Sequence, residues 1–464
     1  MYFGIKKTLF SEYLVYINNI INILGRCARC HRLAVKESKN MVDFEVIIIG
    51  AGAAGIMAAN FLQSRDVSVC VLEARDRIGG RIHDIHTKQM GHLHLGASWL
   101  HHKGNKHILK ALLDQYHVAY LKEDALESSD KMEIYSEHGK LSGKEKKLFT
   151  EVLIRLPKNI RKIGQQQPTL SIAEAVRLIG EKHGYSQSLI QALITRSSEH
   201  CSQNADVMPA REFDGWEPNG LFVKDGYGKL IRKLSRHLNI EQNTIVQRID
   251  QTDEIIVIET NQKPFTCRYV ISTLPTGVLQ SEQVTFVPPL PTNKKVALEQ
   301  LDSGNHEKIF LKFPHVFWDK DTEIFQLAAP NNRGACTQWH NVLLNTEAQN
   351  ILYTNISGPD IAYARKSDLA LQDLCMSRLR QMFGDQIPDP ISIYVTRWSL
   401  DQFTLGGPYA HPTMKGKMGD LSTIGEPFGH IHFAGVDTSE SETETVEAAL
   451  LSGIRTANQI LSKR

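Results

Sequence analysis

Hydrophobic and polar positions change their period several times along the chain. Glu45-Val46-Ile47-Ile48-Ile49 is a short β-branched run, too short for a helix and typical of a parallel strand buried on both faces. It breaks at Gly50-Ala51-Gly52-Ala53-Ala54-Gly55, passes into helix-forming residues at 56–62, and returns to a β-run at 68–72 that closes on Glu73. These segments predict a strand-helix-strand unit. From about residue 105 to 240 the pattern is helical, with Ser171-Ile172-Ala173-Glu174 reading as a capping box and Gly184 as the stop thirteen residues later. β-rich stretches follow at 244–250, 254–260 and 268–274, and residues 307–313 read as a half-buried strand alternating apolar and polar. Helical character returns near 368–383 and 445–462, and Pro288-Pro289-Leu290-Pro291 marks an expected crossover between domains.

The 464 residues are about three times the ~150 that one domain commonly uses, so two domains, or one large α/β unit with an insertion, are expected. With 42% apolar and 22% charged residues, collagen-like, disordered and disulfide-scaffold classes are excluded. The net charge of +2 divides into +5 over residues 1–40 and −3 over the rest. A near-neutral body gives no basic face, so no nucleic-acid partner is expected. Seven scattered cysteines, an odd number, point to a reducing compartment, and a cytoplasmic location is expected. Cys27-Ala28-Arg29-Cys30-His31 has the c-type haem spacing, but forty residues are too few to wrap a haem, and no further zinc ligands stand nearby; no metal is expected. The apolar stretch 13–24 contains Asn18 and Asn19 and falls short of the ~20 residues that span a bilayer, so no stable membrane anchor is expected. Met41 stands just before the first strand, and the expectation is a working start there, with 1–40 a poorly ordered basic extension.

The glycines carry the first chemical signal. Gly50, Gly52 and Gly55 follow a strand and open a helix, and Glu73 lies 23 positions after Gly50. In such a unit the first glycine permits the tight turn, the second lets backbone approach a pyrophosphate, and the third lets helix pack on strand. The anion rests on the helix N-terminus, and Glu73 is placed to accept hydrogen bonds from ribose hydroxyls.

Glu73-Ala74-Arg75-Asp76-Arg77-Ile78-Gly79-Gly80-Arg81 resembles the ExRxRxGGR signature of the flavin-containing amine oxidases, and Gly96-Ala97-Ser98-Trp99-Leu100-His101 resembles their next motif. Asp225-Gly226-Tyr227-Gly228, the stretch 271–279, Thr396-Arg397-Trp398, and His432-Phe433-Ala434-Gly435 through Ser452-Gly453 follow in family order, so the resemblance covers about residues 44–460. It implies an α/β fold: a Rossmann-type FAD-binding domain, glutathione-reductase-like, with an inserted α+β substrate domain. The expected division gives residues 41–125, 225–290 and 405–464 to the FAD-binding domain, and 126–224 and 291–404 to the substrate domain. Cofactor contacts are implied for Gly50, Gly52, Ala54, Gly55, Glu73, Ala74, Arg75, Gly80, Arg81, Gly96, Ala97, Ser98, Trp99, Gly435, Val436, Thr445 and Val446, and Val246 matches the position whose backbone holds the adenine. Gly79 and Gly80 remove side chains where backbone lies against a flat ring, and Arg81 brings fixed positive charge to a diphosphate.

Lys308 matches the family lysine that holds a water against the flavin N5, where its charge suits oxygen reduction. Glu307 stands where the family often has Asn and is expected to pair with Lys308. In Gly406-Gly407-Pro408-Tyr409, Pro408 replaces the cysteine that carries the flavin covalently in monoamine oxidases, so FAD is expected to be non-covalent. Tyr409 offers an aromatic face to an amine, and Thr445 stands in place of its aromatic partner, leaving a half-built cage. Backbone N–H groups of the stretch opening at Thr445 are implied to face the flavin N1–O2 edge. Trp398 is expected beside the flavin, and His101 matches a pocket position of the polyamine oxidases. Two departures stand out. Val436 replaces a glutamate that helps hold the cofactor, with Asp437 as its expected substitute, and Glu444 replaces a frequent glycine.

The implied reaction removes hydride from the carbon beside a neutral amine nitrogen, giving an imine, then an aldehyde and a smaller amine, with O₂ reduced to H₂O₂. The partners are thus a small-molecule amine and O₂. A linear amine or polyamine is favoured, with Glu199 and Glu217 as candidate carboxylates along its path. No coiled coil interrupts the substrate region, which argues against a chromatin demethylase. Three other readings stay open: an FAD-dependent oxidase or desaturase of an amino acid or isoprenoid, a nicotinamide dehydrogenase, and a catalytically weak flavin-binding relative.

Overall fold

In the computed structural model, the described residues are 42–101, 108–123, 131–213, 215, 220–328, 335–342, 350–439 and 445–464. Cys27, Cys30, His31, Met41, Glu217 and Glu444 lie outside them. The β-branched run forms the strand Phe44–Ile49, flanked in parallel by Val69–Leu72 and Phe265–Ser272. It is central to an eight-stranded sheet ordered Ile240–Glu241, Val69–Leu72, Phe44–Ile49, Phe265–Ser272, Ile256–Thr260, Val246–Asp250 and Thr285–Val287, with Ile431–Phe433 also pairing Phe265–Ser272. The helix Ala53–Gln63 covers one face of this sheet, together with Val446–Leu461. A Cβ on Gly55 would lie 2.0 Å from the Gly50 carbonyl oxygen, and one on Gly453 would lie 2.3 Å from that of Ala54. Both helices therefore seat backbone against backbone around the glycine turn.

The second sheet has seven strands, ordered Ser392–Val395, His306–Lys312, Ile351–Ser357, Gln338–Asn341, Ile324–Leu327, Met132–Ser136 and Gly139–Lys140. Only its contact between Ile324–Leu327 and Met132–Ser136 is parallel. The helices Gly143–Gln166, Ile172–His183 and Gln187–Cys201 pack Leu156, Ile160, Val176 and Leu193 into one core with Met132, Ile134 and Ile324. Asp368–Phe383 lies over the remainder, its Leu371 and Leu379 sharing a core with Ile309, Leu311 and Leu352.

The expected capping box is present: Ser171 Oγ accepts from the Glu174 N–H at 3.2 Å, and the Glu174 carboxylate accepts from the Ser171 N–H at 2.8 Å. Gly184 ends that helix at φ 66°. A second box, Ser142 with Glu145, opens Gly143–Gln166. Pro288 to Pro291 follow the strand Thr285–Val287 and open the helix Thr292–Glu299, after which the chain reaches the second sheet at His306. Two expectations fail. The stretch from about 105 to 240 is not helical throughout, since Leu121–Glu123, Met132–Ser136, Gly139–Lys140 and Gly220–Phe222 are strands, two of them paired into the second sheet. The strand His306–Lys312 is not half-buried, because Ile309 and Leu311 face one core while Phe310 packs with Met90, Leu93 and Leu95 on the other side. Among the described residues, no helix is long and apolar enough to cross a membrane.

The contact at Gly453 leaves no room for a methyl group. Gly453→Ala is expected to lower unfolding stability by about 1–3 kcal/mol, as overpacking of a seated interface does, and a thermal melt equal to the unsubstituted protein would show that the helices tolerate separation.

Candidate active site

A cavity of about 1310 Å³ runs between the two sheets and takes its walls from both. At one end lie the glycine turn and the strand ends of the first sheet. Gly52 N-caps the helix Ala53–Gln63 without any side-chain cap, so the helix N-terminus opens onto the cavity. A Cβ at Gly52 or at Gly435 would meet nothing within 4 Å, which leaves a bare backbone cradle for an extended ligand. Glu73 is 3% exposed, and each of its oxygens accepts one backbone N–H: Oε2 from Ala51 at 2.8 Å and Oε1 from Arg75 at 3.0 Å. A carboxylate oxygen bonded once keeps a second lone pair, as ribose hydroxyls require. The cradle thus suits a dinucleotide.

Of the sequence-predicted cofactor residues, Gly50, Gly52, Ala54, Glu73, Ala74, Arg75, Gly80, Arg81, Gly96, Ala97, Ser98, Trp99, Val246, Gly435, Val436, Thr445 and Val446 all line the cavity. Gly55 does not line it; it packs on the Gly50 carbonyl instead. Arg75 pairs with Asp401, donates to Thr404 Oγ1 at 3.0 Å, and lies 5.2 Å from the Phe403 ring. Arg81 donates to the Pro408 carbonyl at 2.6 Å while remaining on the cavity wall. Burial, then neighbouring Arg75, pushes the Arg77 pKa down, and this side chain donates to the Gly80 carbonyl at 2.9 Å.

Lys308 lies on the wall of the same cavity. Its Nζ donates to the carbonyls of Gly96 (2.8 Å) and His94 (3.1 Å) and to Ser98 Oγ (2.8 Å), which engages all three ammonium hydrogens. Burial pulls its pKa down to about 8, and the charge of Asp84 works the other way. The expected Glu307–Lys308 pair is absent. Side chains alternate along a strand. Glu307 therefore points away from Lys308 and is buried, accepting from Thr396 Oγ1 (2.8 Å), Trp398 N (2.7 Å), and Ser399 N and Oγ (2.9 and 2.8 Å). It builds the turn that presents Trp398, whose indole N–H donates to the Leu95 carbonyl at 3.1 Å.

Asp437 accepts from Thr276 Oγ1 at 3.0 Å and from the Ala410 N–H at 2.8 Å and lies 3.9 Å from the Arg81 guanidinium; Val436, not Asp437, stands on the cavity wall. Tyr409 lines the cavity, donates its hydroxyl to the His200 carbonyl, and meets His411 edge-on at 4.8 Å. Thr445, on the same cavity, is committed as the N-cap of Val446–Leu461, accepting from Ala448 N at 3.0 Å. His101 ends the strand Trp99–His101, and its side chain lies outside the described residues.

Glu199, on the helix Gln187–Cys201, is buried on the cavity wall and accepts from Thr337 Oγ1 at 3.2 Å. Burial lifts its pKa to about 7 against the pull of Arg196. His306, His340, Tyr353 and Asn355, which sequence reasoning missed, share this wall. His340 stacks on Tyr353 at 4.6 Å, and burial depresses the pKa of His306 to about 4 and of His340 to about 3. The signal for His306 was available: it stands two positions before Lys308 on one strand, and therefore on its face.

Comparison with known proteins fits this geometry. The family model described as flavin containing amine oxidoreductase matches residues 53–461. Probable polyamine oxidase 4 of Arabidopsis thaliana is 29% identical over 439 residues, covering 90% of this chain and 87% of its own length. The Lysine-specific histone demethylase 2 of Homo sapiens is 29% identical over 450 residues, covering 91% of this chain and 54% of its own. A solved structure of a putrescine oxidase double mutant, from a redesign of cofactor binding, superposes with a TM-score of 0.72 at 18% identity over 90% of this chain and 99% of that one, which shows a shared fold. A match spanning nearly every described element, on a cavity shaped for a dinucleotide, means that the chain belongs to the flavin-containing amine oxidoreductases.

Proposed function

We propose that this amine oxidoreductase is an oxidase of a linear amine or polyamine that holds FAD non-covalently and releases hydrogen peroxide. The observation that carries the reading is one cavity that joins the dinucleotide cradle, the Lys308 ammonium and the buried Glu199 carboxylate. When bound, the flavin supplies the hydride acceptor and the passage of electrons to O₂.

The chain's own residues divide the remaining work. Above about pH 7 Glu199 is ionised and attracts a second, cationic nitrogen of the substrate, so that the reacting nitrogen is held further along the cavity. His306 and His340 are neutral at that pH because burial opposes their protonation, so Arg196 is the cation beside Glu199 on this wall and the two imidazoles add no further charge to repel an amine. Tyr409 contributes an aromatic face. Below about pH 8 Lys308 carries a fixed positive charge where anionic oxygen species develop. Pro408, with no thiol, supports a non-covalent flavin.

Peroxide release across a panel of diamines, polyamines and aromatic amines tests the reading. Turnover of the linear amines is expected, and a flavin-loaded protein silent on every amine overturns it. Acid precipitation is expected to leave the yellow colour in the supernatant; colour in the pellet means a covalent link. Glu199→Gln is expected to raise KM for a linear diamine about tenfold and to abolish the fall of KM as pH rises through about 7. The same substitution is expected to raise the melting temperature at neutral pH. A carboxyl whose pKa is lifted by folding lends stability that is full below its unfolded value and lost as pH rises through about 7, and glutamine has nothing to lose.

A further inference from the structure

Behind Lys308 lies a pair of side chains that the proposed reaction leaves unused. In the hairpin formed by Asp84–Thr87 and Gly91–His94, Asp84 and His94 stand directly opposite. The His94 Nδ1 is 3.3 Å from Asp84 Oδ1, and both side chains are within 5% of full burial. The other carboxylate oxygen, Oδ2, accepts the Gly228 N–H at 2.7 Å. Burial alone would raise the Asp84 pKa, but neighbouring His94 and the Gly228 N–H outweigh it and pull it down. Neither ring nitrogen of His94 nor Asp84 Oδ1 makes a well-directed hydrogen bond, but Nδ1 is the nitrogen that approaches the anion, which favours the proton there. The lone pair is then on the buried Nε2.

A second cavity, of about 20 Å³, has walls from His94, Ser98, Phe222, Lys308 and Tyr353. A water needs roughly 10–15 Å³, so this space takes one. Ser98 and Lys308 border the large cavity as well. Because the three Lys308 N–H groups are engaged by the His94 and Gly96 carbonyls and Ser98 Oγ, a route from the ammonium toward His94 passes through the serine hydroxyl.

We propose that Asp84 and His94 form a proton relay for Lys308, connected through the Ser98 hydroxyl and a single water in the small cavity. Lys308 gives one proton to Ser98 Oγ, the serine turns its own hydrogen from the Gly96 carbonyl, to which it donates at 3.1 Å, and passes it to the water, and the water protonates His94 Nε2. The products are a neutral lysine and an imidazolium facing the Asp84 carboxylate, with no change in total charge. The reverse order restores the ammonium. Other charged or titratable groups facing the relay are His92, whose ring is 4.6 Å from that of His94, with His86 and Arg232 around it, Tyr353, 5.5 Å from Lys308, and His306 and His340, both of which feel the Lys308 charge. His94 is a positioning residue here, acting through Lys308 alone.

The relay rests on the role of Lys308 given above, and its test needs no amine. Lys308 in the holoenzyme is acetylated competitively from about pH 6 to pH 10 and read by mass spectrometry, and the flavin is reduced with dithionite and reoxidised by O₂ in H₂O and D₂O. In Asp84→Asn the labelling midpoint of Lys308 is expected to fall by about half a pH unit or more, since an attracting anion is gone. In His94→Gln, whose amide still donates to Asp84, reoxidation is expected to slow several-fold and to lose its solvent isotope effect. A folded His94→Gln protein with the unsubstituted rate and isotope effect overturns the relay and leaves the pair as a cap on the helix Tyr227–Leu234. Asp84 also holds that helix, so His94→Gln decides where Asp84→Asn does not fold. A holoenzyme that oxidises no amine but shows both effects loses the proposed function and keeps the relay.

Discussion

An ammonium taken out of water must find acceptors, and Lys308 finds all three on another part of the chain. Its strand belongs to the second sheet, while the Gly96 and His94 carbonyls and Ser98 Oγ belong to the segment that follows the flavin signature. Hydrogen bonds to a charged group contribute about 1.5–3 kcal/mol each, and leaving such a charge unpaired costs more than that. The alignment of the two sheets is therefore set where the chemistry is, and the walls of the large cavity follow from it. The lowered pKa of about 8 reflects the same compromise between burial and the nearby Asp84 charge.

The cavity is chemically graded. One end is backbone, offering unpaired helix N–H groups and glycine surface to anionic and ring-shaped groups. The other end carries Glu199 and the Arg196 guanidinium among neutral imidazoles and an aromatic ring. An extended molecule with a diphosphate fits the first end and a cationic one the second, and Lys308 stands on the shared wall.

Much of this was legible in the sequence because the relevant signals are local. The strand before Gly50, the Ser171–Glu174 box with Gly184, and the helix beginning after Thr445 depend on neighbours within a few residues, and each formed as its residues dictate. The motif residues line the cavity for a similar reason: Gly52 and Gly435 leave open space beside the backbone, and Gly435 also takes a φ of 135°. What failed was orientation. Glu307 was read as a partner of Lys308 by adjacency, although the two-residue period of a strand sends neighbours to opposite faces. The turn after Gly435, at φ 135°, directs the Asp437 carboxylate to Ala410 and Thr276 and toward Arg81 from behind the cavity wall, a placement that adjacency to Val436 does not contain. Glu199 was a candidate along the substrate's path, but nothing local in Ser197, Ser198 and His200 marks it as buried. Its burial comes from packing between a helix layer and the second sheet, a tertiary fact that no short window contains.

The segment bearing Tyr409 is gripped by its main chain: Gly407 N–H donates to the Ser303 carbonyl, the Pro408 carbonyl accepts from Arg81, and Ala410 N–H donates to Asp437. Anchors of this kind are indifferent to which side chain occupies position 409. The aromatic wall is thus a point where evolution, or a protein engineer, can exchange one ring for another shape and alter substrate range while the frame that holds the cofactor stays in place.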